Sequence, residues 1–192
     1  MEKAKVILIT DGDKKAKKAI EKVAEQVGGR CISLSAGNPT PLSGEDIVKL
    51  IKITPRDPTL VMIDDKGTIG KGKGEQAMNY IINHPSIEVL GVIAVASNTK
   101  YAKQIDVDIS IDRYGYVIDG KVGSVDKDGF PSTGYLAGDT VEALSDEDVP
   151  LIIGTGDIGK MDGRDSSTNG SPITLKAVEE ILARSGFHVR KS

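Results

Sequence analysis

Tryptophan is absent from this chain, phenylalanine occurs twice, and aromatics make up only 4% of its residues. Cysteine occurs once, at Cys31, so no internal disulfide framework can form, and a reducing compartment is expected. A strand around Arg30-Cys31-Ile32-Ser33-Leu34 makes Cys31 a buried small hydrophobe rather than a nucleophile, because neither His84 nor His188 is placed near it by sequence. Long hydrophobic runs are missing too. The longest, Val89 to Ala96, falls far short of the roughly 20 residues that span a bilayer. Met1-Glu2-Lys3-Ala4-Lys5 leads directly into a strand, with no signal-peptide pattern. No basic surplus exists either. A formal net charge of -3 and the lack of a Lys/Arg cluster interleaved with aromatics argue against a nucleic-acid partner.

What is present reads as one α/β domain. The length of 192 residues suits a single buried core. Val6 to Ile9 is a continuous apolar run, as in a strand buried on both faces. Ala16, Ala19, Ile20, Val23, Ala24 and Val27 then recur at helical spacing, and Gly28-Gly29 supplies the stop. Cys31 to Leu34 is the second strand. Ser43-Gly44-Glu45-Asp46 opens a helix as a capping box, and Leu60 to Ile63 is the third strand. A helix stopped at Pro85 and the central strand Val89 to Ala96 complete an alternation that implies parallel strands covered on both faces.

The middle of the chain changes character. Val107, Ile109 and Ile111 alternate with polar residues, which predicts a half-exposed strand, and Asp119-Gly120 carries a hairpin signal. The region from Asp108 to Asp139 is expected to be a β-hairpin excursion, irregular from Gly123 on. A short helix is expected over Asp139 to Leu144. After a strand at Leu151 to Ile153, Ser171-Pro172 is expected to cap a last helix. The predicted fold is a three-layer, single-domain α/β arrangement, Rossmann-like or Toprim-like, over residues 1–192.

Two glycine clusters imitate nucleotide motifs. Gly154-x-Gly156-x-x-Gly159 has dinucleotide spacing, but loop residues follow it where a helix should start, and Asp157 would repel a pyrophosphate. Gly67 to Lys73 follows the P-loop pattern until Gly74 replaces the hydroxyl that would bind magnesium. Lys71, Gly72, Lys73 and Gly74 remain an anion-binding candidate, because lysines and helix-start amides share one electrostatic sign. The plainer reading is a solvated loop.

A set of acids is the stronger constellation. Asp11 and Asp13 follow the first strand, Asp64 and Asp65 the third, and Asp157 and Asp162 a late one. The carboxyl ends of parallel strands share one edge of the sheet, where ligands usually bind. Converging carboxylates need a cation or a raised pKa, and hard oxygen ligands suit Mg²⁺ or Ca²⁺. Asp11, Asp13, Asp64, Asp65 and Asp157 are therefore the candidate metal ligands, with helix capping as the plainer alternative. Asp11-Gly12-Asp13 with Gly156-Asp157 and Asp162 resembles haloacid-dehalogenase-type phosphatases, which implies Asp11 as nucleophile, Asp13 as acid/base, late acids on magnesium and Ser97 as a phosphate-binding hydroxyl. Lys14 and Lys15 depart from that pattern. Acids after the first and third strands also resemble a Toprim arrangement, with departures at both.

A broader resemblance runs through Thr10-Asp11-Gly12-Asp13, Ser35-Ala36-Gly37-Asn38-Pro39-Thr40, Val61-Met62-Ile63-Asp64-Asp65, Ile87 to Thr99, Gly156-Asp157-Ile158-Gly159-Lys160-Met161 and Pro172 to Leu182. In these stretches the chain resembles the soluble stage V sporulation protein AE family of endospore-forming bacteria. That resemblance implies a non-enzymatic protein of the spore, peripheral to its inner membrane, with no catalytic residues to carry over. The partners it implies are the membrane proteins of the same sporulation channel, which move calcium and dipicolinic acid. A Mg²⁺-dependent phosphatase or phosphotransferase using the acidic crevice is the alternative.

Overall fold

The computed structural model describes residues 2–53, 56–66, 72–98, 103–138, 140, 144 and 149–188. The first half follows the alternation read from the sequence: β1 (Ala4–Ile9), α1 (Lys14–Gln26), β2 (Arg30–Cys31), α2 (Gly44–Ile53), β3 (Thr59–Met62), α3 (Lys73–Ile82) and β4 (Ile87–Val95). Next come β5 (Lys103–Ile105), β6 (Ile109–Ile111), β7 (Val117–Asp119), β8 (Ser124–Val125), β9 (Pro131–Ser132), β10 (Leu136–Gly138), β11 (Ile152–Thr155) and α4 (Pro172–Arg184). Among the described residues one seven-stranded sheet runs in the order β2-β3-β1-β4-β11-β6-β7, parallel except for β7.

Strand order and helix position follow from one rule. The step from β1 out to β2 carries α1 on one face, whereas the steps back to β3 and across to β4 carry α2 and α3 on the other. Right-handed crossovers moving in opposite directions must use opposite faces. The core is therefore two slabs. Ile7, Ile9, Leu60, Met62 and Ile93 meet Ala16, Ile20 and Val23 of α1 and Ile173, Ala177 and Ile181 of α4. Val6, Leu8, Val61, Val92 and Ala94 meet Ile47 and Ile51 of α2 and Met78 and Ile81 of α3. Each large side chain buried here contributes roughly 1.5–3 kcal/mol.

The excursion differs from expectation in three ways. β6 is buried at all three residues, because it lies inside the sheet between β11 and β7 rather than at a half-exposed margin. The hairpin turn falls at 112–116, where the Asp112 carboxylate accepts the Tyr114 and Tyr116 N–H groups and Gly115 has φ +83°. Asp119-Gly120 instead turns the chain out of the sheet, with Asp119 accepting the Val122 N–H. The stretch after Gly123 is also less irregular than expected, since β8 pairs with β9 and β10 with β5. The second strand stops at Cys31, and Ser33–Ser35 forms a 3-10 turn. Of the helix expected at 139–144, residues 139 and 141–143 lie outside the described residues.

Candidate functional site

β1 sends its connection to α1 on one face, while its neighbour β3 connects to α3 on the other. Such divergence opens a crevice above the carboxyl ends of the strands. The structure has a crevice there of 130 Å³, lined by Thr10 and Asp11 after β1, Asp13 at the start of α1, Asp64 after β3, Ser97 after β4, and Asp157 and Lys160 after β11. Larger hollows of 470 Å³ and 590 Å³ lie elsewhere, at the opposite strand ends and between α2 and α3. Neither gathers acids from several strand ends, so the smaller crevice is the candidate site.

Four of the five proposed metal ligands come together here. Asp11 is 8% exposed, and its Oδ1 accepts the Asp13 N–H at 3.1 Å. Burial pushes its carboxyl up to about 7 from the usual 3.8; the Asp13 charge adds to this, and the Asp13 N–H and the Lys160 charge oppose it. Asp13 divides its carboxylate. Oδ1 accepts the Lys15 and Ala16 N–H groups at 2.7 and 2.9 Å as the N-cap of α1, while Oδ2 lies 2.6 Å from the Lys160 ammonium. Burial raises the Asp13 carboxyl, but the hydrogen bond from Lys160 and the capping amides outweigh it, and the net displacement is downward. Lys160 also stands 3.3 Å from Asp157 Oδ2. Burial disfavours its ammonium, yet the hydrogen bond to Asp13 and the charges of Asp157 and Asp11 lift it well above the ordinary lysine range. Asp64 uses Oδ1 to accept the Lys66 N–H at 2.8 Å.

Asp65 departs from the group. Its buried carboxylate turns under α3 and accepts the Gly74 and Glu75 N–H groups at 2.6 and 2.8 Å, where a negative charge is favoured by the helix. Of the amides at Gly72, Lys73 and Gly74, that of Gly74 is thus already bonded to Asp65, as is the next amide of the helix start, that of Glu75. A Cβ on Gly72 would meet Asp65 Oδ1 at 2.2 Å, so the glycine admits the capping carboxylate. Lys71, the other member of that candidate, lies outside the described residues. Among the described residues no three His, Cys, Asp or Glu side chains are grouped in a way that could hold a metal ion.

Sequence reading missed two residues. Lys160, taken as loop chemistry inside the glycine-rich stretch, is the cation among the acids. Asp165 replaces Ser171 as the cap of α4. With φ +50°, Ser171 is left-handed rather than extended, and its hydroxyl makes no capping bond. Asp165, fully buried, instead accepts Ile173 N–H, Thr174 N–H and Thr174 Oγ1–H at 3.0, 2.9 and 2.6 Å, together with Gly159 N–H at 2.8 Å. It therefore ties α4 to the loop that carries Asp157 and Lys160. Gly156 and Gly159 open no helix; turns follow, and α4 starts at Pro172. Cys31 is only partly buried, packed against the core rather than within it, and desolvation pushes its thiol up to about 12, in keeping with a packing role.

The crevice depends on a close backbone approach. A Cβ on Gly12 would sit 2.3 Å from the Gly37 carbonyl oxygen. Gly12→Ala is expected to separate the turn after β1 from the 36–41 loop and cost about 2–3 kcal/mol. A fall of roughly 4–12 °C in melting temperature by calorimetry checks it; an unchanged melting point would show that the two loops part freely.

Fold and site together define a three-layer α/β domain with a carboxylate-rich crevice at its strand ends. The model of the stage V sporulation protein AE1 family matches residues 5–185, and the chain belongs to that family. Membership implies a role connected with sporulation. No curated protein and no solved structure matches the chain.

Proposed function

We propose that this chain is a non-enzymatic accessory protein of the spore inner-membrane system that moves calcium and dipicolinate during sporulation and germination. The carrying observation is the family match across residues 5–185. Among the described residues no helix is long and apolar enough to cross a membrane; the attachment proposed is to the membrane proteins of that system. The commitments within the crevice favour this reading over catalysis. Asp13 is engaged by α1 and Lys160, and burial favours the neutral form of Asp11 up to about pH 7, whereas an attacking carboxylate must be ionised. Tyr114, Tyr116 and Phe130 are exposed in the stretch after β6, although the chain has few aromatics. Exposed aromatics of this kind anchor protein contacts.

Affinity recovery of a tagged chain from detergent-solubilised spores tests the reading. The expected result is co-purification of the channel's membrane proteins, reduced at least several-fold by Tyr114→Ala combined with Tyr116→Ala. Reproducible absence of those proteins would overturn it. A phosphatase screen with and without Mg²⁺ reads the alternative, which gains ground only if metal-dependent turnover disappears in Asp11→Asn.

A further inference from the structure

Three carboxyl groups act on one position in the crevice, and that position already holds a positive charge. The Lys160 ammonium lies 2.6 Å from Asp13 Oδ2 and 3.3 Å from Asp157 Oδ2, and Asp11 contributes to its field from the crevice floor. The three acids come from two separate connections, after β1 and after β11. Converging carboxyl groups are relieved by a raised pKa, as at Asp11, or by a cation at the centre. A divalent metal with oxygen ligands is one solution, and a tethered ammonium is another.

We propose that Lys160 is the resident cation of this crevice, occupying the place a divalent ion would otherwise take and tying the β11–α4 connection to the N-terminus of α1. The inference is independent of the accessory role in the spore, because it concerns only what neutralises these acids. Position and fit support it. The ammonium has three donors, and two carboxylate oxygens stand within ion-pair distance of it. The loop that delivers it is itself fixed, since Gly159 N–H donates to the buried Asp165. A metal entering the native crevice would have to expel an ammonium held by two carboxylates, and that exchange opposes binding. Removing the side chain reverses the balance: Lys160→Ala leaves Asp13 and Asp157 facing each other over a space with no positive charge of its own. The variant should then take up Mg²⁺ or Ca²⁺ where the native protein does not.

Thermal melts of the full chain in MgCl₂ or CaCl₂, against NaCl of matched ionic strength, test this directly. The native protein and Lys160→Arg are expected to show no metal-specific shift. Lys160→Ala is expected to melt lower in NaCl and to recover roughly 5–10 °C once metal exceeds its Kd by about 100-fold. A comparable metal shift in the native protein would overturn the proposal. So would a Lys160→Ala protein with native circular dichroism and no response to either ion. Should that variant fail to fold, the native protein still decides the matter through the ¹⁵N resonance of the Lys160 ammonium. Persistence of its slowly exchanging signal in excess Mg²⁺ supports the inference, and its loss or displacement contradicts it.

Discussion

Asp11→Asn is expected to stabilise the protein at pH 8 and to change its stability little at pH 3. The buried carboxyl titrates near 7 in the folded chain against an ordinary 3.8, with burial as the largest cause and the charges of Asp13 and Asp64 adding to it. Because the folded pKa lies above the unfolded one, the folded state keeps a proton that the unfolded chain releases. Stability is therefore fully present below about pH 3.8, falls as pH rises through the interval up to 7, and stays reduced above it. A displacement of this size corresponds to a cost on the order of 4 kcal/mol at high pH. Asparagine retains an oxygen for the Asp13 N–H and carries no charge, so it escapes that cost. In a chain of this length the gain appears as a rise of up to roughly 10 °C in melting temperature at pH 8. Equal destabilisation at both pH values would show that the Asp11 carboxyl titrates alike in the folded and unfolded chain, against the raised value expected here.

Asp165→Ala should have the largest effect in the other direction. Four donors converge on this one buried carboxylate: two amides and a hydroxyl from the first turn of α4, and the Gly159 amide. Burial raises its carboxyl, and the Thr174 hydroxyl and the three amides pull it back. Truncation leaves those donors buried, each costing about 1–3 kcal/mol where water cannot reach it. A loss of about 4 kcal/mol is expected, seen in urea titrations as a lower midpoint with an unchanged slope. Amide exchange should accelerate most at Gly159, Ile173 and Thr174. Asp165→Asn, which keeps an acceptor, should lose roughly half as much. A uniform, small acceleration of exchange across the chain would contradict the assignment of Asp165 as the tie between α4 and the crevice loop.

The parts of the fold legible in the sequence were those fixed by periodicity. The continuous runs Val6 to Ile9 and Val89 to Ala96 announced a strand buried on both faces and a central strand, and the spacing of Ala16, Ile20 and Val23 announced the helix that covers one face of the sheet. Composition alone did not reveal that β6 is interior, because Asp108 and Asp112 look solvated. Their carboxylates instead serve the backbone, accepting Ile152 N–H and the Tyr114 and Tyr116 N–H groups. The convergence of Asp11, Asp13, Asp64 and Asp157 followed from strand ends sharing one edge. The different fate of Asp65 did not, since consecutive residues leaving a strand point to opposite sides and only one can face the crevice. Lys160 and Asp165 were hidden for a related reason: each acts on groups brought close by the fold, and neither stands at a spacing that marks its role. Family likeness spoke for function, while the residues of the crevice speak for the physical state of the site.

The state of Asp11 is the point on which the crevice account turns, and the ¹³C shift of its side-chain carboxyl, followed from pH 3 to pH 9, reads it without perturbing the chain. A midpoint near 7 is expected, with Asp13 already ionised well below it. A midpoint in the ordinary carboxylate range near 4 would contradict the account, leaving Asp11 as a charged group open to a metal or a substrate.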